Sequence, residues 1–320
     1  MSAPGRCRRL DGDSVVQALR ERHQADRRAL YERGIRPRLA LVRAGDHPAA
    51  TAYADAVTRL GKTWPADVVL DVLPPNASAA ALRRHIRAWG KEAGVHGVFL
   101  AGPLPSELAA ADVEAALPLA RDVAAVHPIA QARFLEGHAV FEPIPVVALD
   151  ALLAVAGGER DGRRAVVVAR PGAIPLLIAT ALHRRGSAVE LVSPEQAVGE
   201  ATRRADLLVL LDGEREAVSG NDVMPGAIVL DFGVHVAEDG ELVGHADHAA
   251  VEQHAAALTP VPGGVGPVMA AALLSNLTKA ARGGDPPAGR ETLPLFGGLS
   301  LIHISEPTRR RDSSRMPSSA

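Results

Sequence analysis

Apolar and polar positions fall into blocks along this chain, and their period changes from block to block. Between Asp11 and Tyr31, Val15, Val16, Leu19 and Leu30 stand among charged residues, which predicts one exposed amphipathic helix. Leu39-Ala40-Leu41-Val42 is a short unbroken apolar run, the pattern of a buried strand. A helix is expected over 49–62, then a strand over 68–73 closed by Pro74-Pro75. Ser78 can cap a helix over 79–89, and a third strand over 97–100 ends at Gly102-Pro103. A β-α-β-α-β order with apolar strands predicts a parallel, buried sheet.

The pattern then repeats with new material. A helix over 146–155 can join the halves. Strands are expected over 164–169, 188–192, 207–211 and 227–231, with a helix over 173–185 after the first of them. This order predicts a doubly wound, nucleotide-binding type of domain. A last apolar helix, 269–280, is expected to return to the first domain.

Composition narrows the classes. A chain of 320 residues with 47% hydrophobic content suits two ordinary domains with real cores. A formal net charge of −2 gives no reason to expect nucleic acid or an acidic membrane as partner. One cysteine, Cys7, excludes an intrachain disulfide framework and suits a reducing cytoplasm. The polar, arginine-rich start does not read as a signal peptide, and no apolar run is long enough to span a bilayer. Lysine is confined to Lys62, Lys91 and Lys279, so few amines are available for catalysis. Of the twelve histidines, His245, His248 and His254 cluster in sequence near Asp247; no metal site is assigned to them, because no cysteine supports one and short patterns mislead.

The most informative stretch is Thr259-Pro260-Val261-Pro262-Gly263-Gly264-Val265-Gly266-Pro267. Its glycines let backbone approach a ligand and its prolines fix the path on either side. Together these nine residues resemble the signature loop of the bifunctional methylenetetrahydrofolate dehydrogenase/cyclohydrolase family. Asp11-Gly12, Gly45-Asp46-His47-Pro48-Ala49, Gly102-Pro103-Leu104-Pro105, Asp122-Val123, His127-Pro128, the segment 225–233 and the turn 239–244 are similar to further family segments, in the family's order. The resemblance runs from Leu10 to about Ala281.

It implies an α/β fold, with a three-layer N-terminal domain, a Rossmann-like parallel-sheet domain and a cleft between them. Residues 1–145 would form the folate-type domain, completed by the helix 268–282. Residues 146–267 would form the NAD(P)-binding domain. Residues 283–320 are left as a linker and a disordered tail, in which Ser300 to Arg309 resembles translated sequencing-adapter read-through. The family oxidises 5,10-methylenetetrahydrofolate with NADP, then hydrolyses the methenyl product to 10-formyltetrahydrofolate. A folate-like small molecule and a homodimer are the implied partners, with a mixed dimer with an active paralogue as a variant of the latter.

The resemblance also marks departures. Tyr53, which by resemblance stacks on the pterin, is retained, but the family's lysine four residues later is Val57. The glutamine that orients that lysine is Ala101, the pterin-gripping aspartate is Ala124, and the glycine after it is Ala125. Pro262, Gly263, Gly264, Val265, Gly266 and Pro267 remain as substrate-binding positions. In the cofactor half, Arg170, Gly172, Ser193, Gly213 and Gly233 occupy family cofactor positions, but proline stands at 171 and 175. Three apolar replacements in one pocket remove a general acid/base, its orienting group and an anchor, which act as a unit. The expectation is a catalytically degraded copy. The rival is an active enzyme with a relocated basic residue, for which Arg43 and Arg59 lie nearest in sequence; a guanidinium stays protonated and is a poor base.

Overall fold

In this computed structural model residues 7–157, 162–197, 199–237 and 240–283 are described, with the backbone of 303–304. Asp239 of the turn 239–244 and the rest of the linker and tail lie outside the described residues.

The first part of the chain runs β1 (Arg8–Arg9), α1 (Gly12–Arg22), α2 (Gln24–Glu32), β2 (Arg38–Ala44), α3 (Pro48–Thr63), β3 (Asp67–Leu73), α4 (Ala79–Lys91), β4 (Gly97–Ala101), α5 (Ala110–Glu114), α6 (Pro128–Leu135) and α7 (Ile144–Ala156). The second part runs β5 (Arg164–Val168), α8 (Ala173–Arg184), β6 (Ala188–Val192), α9 (Pro194–Ala197), β7 (Leu207–Leu210), β8 (Ile228–Asp231), β9 (His235–Val236), β10 (Leu242–Val243), α10 (His248–Val251), β11 (Ala257–Leu258), α11 (Val265–Ala281) and β12 (His303–Ile304).

Two parallel sheets organise these elements. The first has order β3-β2-β4, with Leu39 opposite both Val68 and Gly97. Side chains on β2 alternate between faces: Leu39 and Leu41 enter the layer of α3 and α11, whereas Ala40 and Val42 pack with Leu82 and Ile86 of α4. This is the three-layer arrangement, and it explains why β2 reads as an unbroken apolar run. The second sheet has order β1-β11-β8-β7-β5-β6-β12 and is parallel throughout. Two α/β domains are present, as the alternating pattern requires.

Several elements differ from the sequence pattern. The helix expected over 11–31 is two helices, broken at His23 (φ −98°, ψ 12°). The bend lets both Val15, Val16 and Leu19 of α1 and Leu30 of α2 turn toward α11. Helix α11 starts at Val265, so Val265, Gly266 and Pro267 form its first turn instead of the loop. A proline is tolerated there because first-turn N–H groups have no intrahelical acceptor. Residues 128–135 form α6, capped by the His127 ring, which accepts from the Ile129 N–H at 3.0 Å. β1, β11 and the antiparallel β9–β10 pair are too short to leave a period in the sequence. Part of the tail is also ordered on an edge: His303 and Ile304 pair with Glu190 and Leu191 of β6.

The two ends of the folded chain meet at Gly12. Its N–H donates to the Gly263 carbonyl at 2.8 Å. A Cβ at Gly12 would lie 2.4 Å from the Gly264 oxygen and 2.5 Å from the Gly263 oxygen. Both obstacles are backbone, so the strain has no side chain to relax. Gly12→Ala is expected to destabilise the protein by about 2 kcal/mol or more, read from urea unfolding. An unchanged midpoint would show that this approach is looser than described.

Candidate ligand cleft

Helix α3 carries one wall of the cleft. The His47 ring accepts from the Ala49 N–H at 3.3 Å and Pro48 opens the helix, so its start is fixed locally. Ala50, Ala54, Val57 and Gly61 form its buried stripe. Tyr53 sits beside that stripe, with its ring centroid 5.7 Å from that of Phe99 on β4 at an interplanar angle of 54°. The Tyr53 hydroxyl is buried without a hydrogen-bond partner. Burial pushes its pKa up, so it remains a neutral donor.

Val57, Ala101 and Ala124 are brought into the same apolar cluster as Phe99, and Tyr53 packs against it. Their exposures are 0%, 0% and 1%. Lys62 and Arg59 are exposed on α3, away from the buried stripe. Arg43 is different. It is 9% exposed, lies in register with Ala101, and its Nη1 donates to Thr51 Oγ1.

The loop holding Ala124 is built by two buried polar groups that sequence reasoning did not single out for that task. The Asp122 carboxylate accepts from Val126 N–H at 3.2 Å and His127 N–H at 2.8 Å. Burial raises the Asp122 pKa, and these donors partly offset it. From α11, Asn276 Nδ2 donates to the Val123 and Glu142 carbonyls at 2.8 and 2.9 Å. A polar Ser275-Asn276 pair inside an apolar helix was the available signal.

The segment 259–267 forms the turn into α11. The Gly264 N–H donates to the Pro260 carbonyl at 2.8 Å, Gly263 has φ +98°, and the Val261–Pro262 bond is cis. Thr259 Oγ1 accepts from the Asp231 N–H at 2.7 Å, which ties the loop to β8. Val261 and Pro262 also border an open cavity of about 370 Å³, with Glu216, Glu241, Gly244 and His248 on its other sides.

The positions expected to meet a cofactor lie at the carboxyl ends of the second sheet. Arg170 follows β5, and its guanidinium meets Glu195 at 2.7 Å and Asp212 at 3.0 Å. One cation against two carboxylates leaves this cluster negative. Gly172 is extended before α8, and Pro175 is the third residue of that helix, where it supplies no N–H. Ser193 follows β6 directly. Gly213 and Gly233 both abut the His245 ring; a Cβ at Gly233 would lie 2.4 Å from its Cδ2. The histidines near Asp247 do not converge. His245 Nδ1 faces His235 Nε2 at 3.0 Å, His248 Nε2 meets Asp231 at 3.3 Å, and His254 lies 3.2 Å from the Ala250 carbonyl. Asp247 caps α10 by accepting from the Ala250 N–H.

Comparison with known proteins decides what this arrangement is. Residues 10–124 match the catalytic domain of tetrahydrofolate dehydrogenase/cyclohydrolase, and residues 144–284 match the NAD(P)-binding domain of the same proteins. The chain belongs to the tetrahydrofolate dehydrogenase/cyclohydrolase family. It is 31% identical over 280 residues to the bifunctional protein FolD of Bordetella petrii, covering 87% of this chain and 95% of that protein. It is 34% identical over 275 residues to the FolD protein of Chloroflexus aggregans, covering 85% and 96%. The structure is similar to the bifunctional FolD enzyme of Campylobacter jejuni, with TM-score 0.79 and 27% identity over 85% of this chain and 98% of that one. It is also similar to the FolD of Trypanosoma brucei complexed with NADP cofactor and inhibitor, with TM-score 0.81 and 25% identity over 87% and 98%.

Val57, Ala101 and Ala124 belong to the large apolar core against which Tyr53 packs. Ala125, at the position read as the family's glycine, has φ +53°. A left-handed L-residue is strained by about 1–2 kcal/mol. Ala125→Gly relieves that strain and adds unfolded-state entropy, for a net gain of about 0.5–1 kcal/mol. A rise in melting temperature checks this; a fall would mean that the turn does not hold Ala125 under strain.

Proposed function

We propose that this chain keeps the folate-type cleft as a binding site for a ring compound and has lost both half-reactions of the bifunctional enzyme. The single observation behind this reading is the replacement of three polar groups by Val57, Ala101 and Ala124, each sealed from solvent. Hydrolysis of a methenyl bridge needs a group that moves a proton at the one-carbon unit. Lys62 and Lys91 are exposed elsewhere, and Lys279 lies on α11 with Nζ 3.4 Å from Asn276 Oδ1. Arg43 is at the right wall, but a guanidinium does not give up its proton at neutral pH. Neither the lysines nor Arg43 therefore offers the rival a base at this wall.

NADP is the family's cofactor, and the residues around the crevice do not fit its phosphates well. Arg170 is already neutralised by Glu195 and Asp212. Pro175 removes one of the N–H groups that the start of α8 would otherwise offer an anion. We therefore assign no step to the cofactor in this copy. Among the described residues no helix is long and apolar enough to cross a membrane.

Two measurements test the reading. Methenyltetrahydrofolate is expected to hydrolyse at the buffer rate in the presence of the full chain. The triple variant Val57→Lys, Ala101→Gln, Ala124→Asp should raise it by about a hundredfold or more, the size of a general acid–base contribution. Hydrolysis by the unaltered chain well above buffer would overturn the reading. Separately, Glu195→Gln with Asp212→Asn frees Arg170 and should tighten NADP binding by about tenfold, measured by calorimetric titration. Tight binding to the unaltered chain, with no gain in the variant, would show that the acidic pair does not oppose the phosphates.

A further inference from the structure

The open cavity of about 370 Å³ beside the turn into α11 has a chemistry of its own. Its apolar surface comes from Leu242 and Val243 of β10, from Ala246, and from Val261 and Pro262 of the turn. Its polar side chains are Glu216, Glu241 and His248, and among the described residues no lysine or arginine lines it. Small-molecule sites have this form: a concave, mostly apolar surface of about 300 Å³ or more with a few placed polar groups. Tyr53, Phe99 and Arg43 do not line it.

One of the polar groups is held in a fixed orientation. The Asp231 side chain is wholly buried, whereas the His248 side chain is 23% exposed and so within reach of the cavity. Asp231 Oδ1 accepts from the Gly233 and His245 N–H groups at 2.8 and 3.2 Å, and Oδ2 accepts from the Ala246 N–H at 2.9 Å. His248 Nε2 stands 3.3 Å from the same Oδ2. A carboxyl group that takes three N–H donors acts as an acceptor, so the proton of the neutral ring sits on Nε2 and the lone pair on Nδ1. Gly244 makes room for this contact, because a Cβ there would overlap Asp231 Oδ2.

Glu216 is placed by its backbone. Its φ is +52°, a left-handed value that side chains rarely adopt, and its N–H donates to the Gly244 carbonyl at 3.0 Å. Strain of this kind concentrates at ligand sites. The carboxylate lies 3.6 Å from Nε of the adjacent Arg215, with both side chains half-exposed, and such a pair is worth little. Carboxylates and an imidazole lone pair are all acceptors. A phosphate or carboxylate is repelled by this wall, whereas a cation with N–H donors is attracted to it.

We propose that this cavity binds a cationic ring compound. Its apolar ring lies on Leu242, Val261 and Pro262, and its amidinium or ammonium edge donates to Glu216 and to His248 Nδ1. Asp231 is a positioning residue that fixes the His248 tautomer. The site goes beyond the function proposed above and meets it only at the turn of Val261 and Pro262.

The test titrates the full chain with benzamidine, benzamide and benzoate, three probes of one shape and different charge, by calorimetry or NMR at mildly alkaline pH. Benzamidine should bind with a Kd of about 1 mM or tighter, and benzamide about tenfold more weakly; benzoate should not bind in that range. Glu216→Gln keeps the size and removes the charge, and should weaken benzamidine by about fivefold or more without lowering the melting temperature. His248→Phe keeps a ring in the wall and leaves Asp231 its three N–H donors; it should weaken benzamidine to a similar degree. Benzamidine should also shift the His248 ring resonances, which are assigned by their absence from that variant. Should His248→Phe fail to fold, Glu216→Gln decides alone. Equal affinity for benzamidine and benzoate overturns the acceptor wall and the proposal with it. Benzamidine binding that Glu216→Gln leaves unchanged, or no binding in the millimolar range, overturns the site. None of these outcomes bears on methenyltetrahydrofolate hydrolysis, so the function proposed above stands or falls separately.

Discussion

Helix α11 is apolar on nearly every side because neighbours surround it. Val265, Val268, Ala270 to Leu274, Leu277 and Ala281 are all buried, and α1, α3 and α7 pack on it. This constraint orders much else. It forces the preceding turn to hand the chain over at Gly263 and Gly264, close enough to Gly12 that a methyl group would not fit. It also requires each polar atom on the helix to find a partner. Thr278 accepts from Trp64 Nε1 at 3.0 Å, and Asn276 holds the carbonyls of Val123 and Glu142. The loop with Ala124 is thus held by a residue more than a hundred positions later in the chain.

That dependence explains which parts were legible in the sequence. β2 and the strands of the second sheet declare themselves as unbroken apolar runs, because each is covered on both faces. Ser78 names its own helix, and its Oγ does accept from the Ala81 N–H. The break at His23 was hidden because the apolar positions between Leu19 and Leu30 give no period to interrupt. β1 and β11 were hidden for another reason: two residues make no period, and their pairing joins positions far apart in the chain. The early start of α11 reflects tertiary packing on Val265, which outweighs the local preference of a Gly-Pro pair for a turn.

The candidate site was legible in a different sense. Spacing alone puts Tyr53 and position 57 one helical turn apart, and the structure adds that Val57, Ala101 and Ala124 are all buried. What the sequence did not convey was the difference between Arg43 and Arg59. They lie sixteen positions apart, both are arginines, and both lie near Tyr53 in sequence. Strand alternation sends Arg43 inward onto the face of Leu41, while helical periodicity leaves Arg59 outside the stripe of Ala54, Val57 and Gly61. Burial is decided by phase, and phase is fixed only when strand and helix are set against each other.

The pocket then presents an inconsistency between neighbouring choices. Val57, Ala101 and Ala124 are apolar and buried, which favours a tightly packed core. An unpaired guanidinium a strand away from one of them works against that core, since burial of a lone charge is among the costliest arrangements a protein can hold. An apolar residue on the face of Leu39 and Leu41 would pack there without that penalty. Arg43 is held by Thr51, and on the same helix as Thr51 the Tyr53 hydroxyl also lacks a partner. This wall is a local conflict set in an otherwise consistent fold.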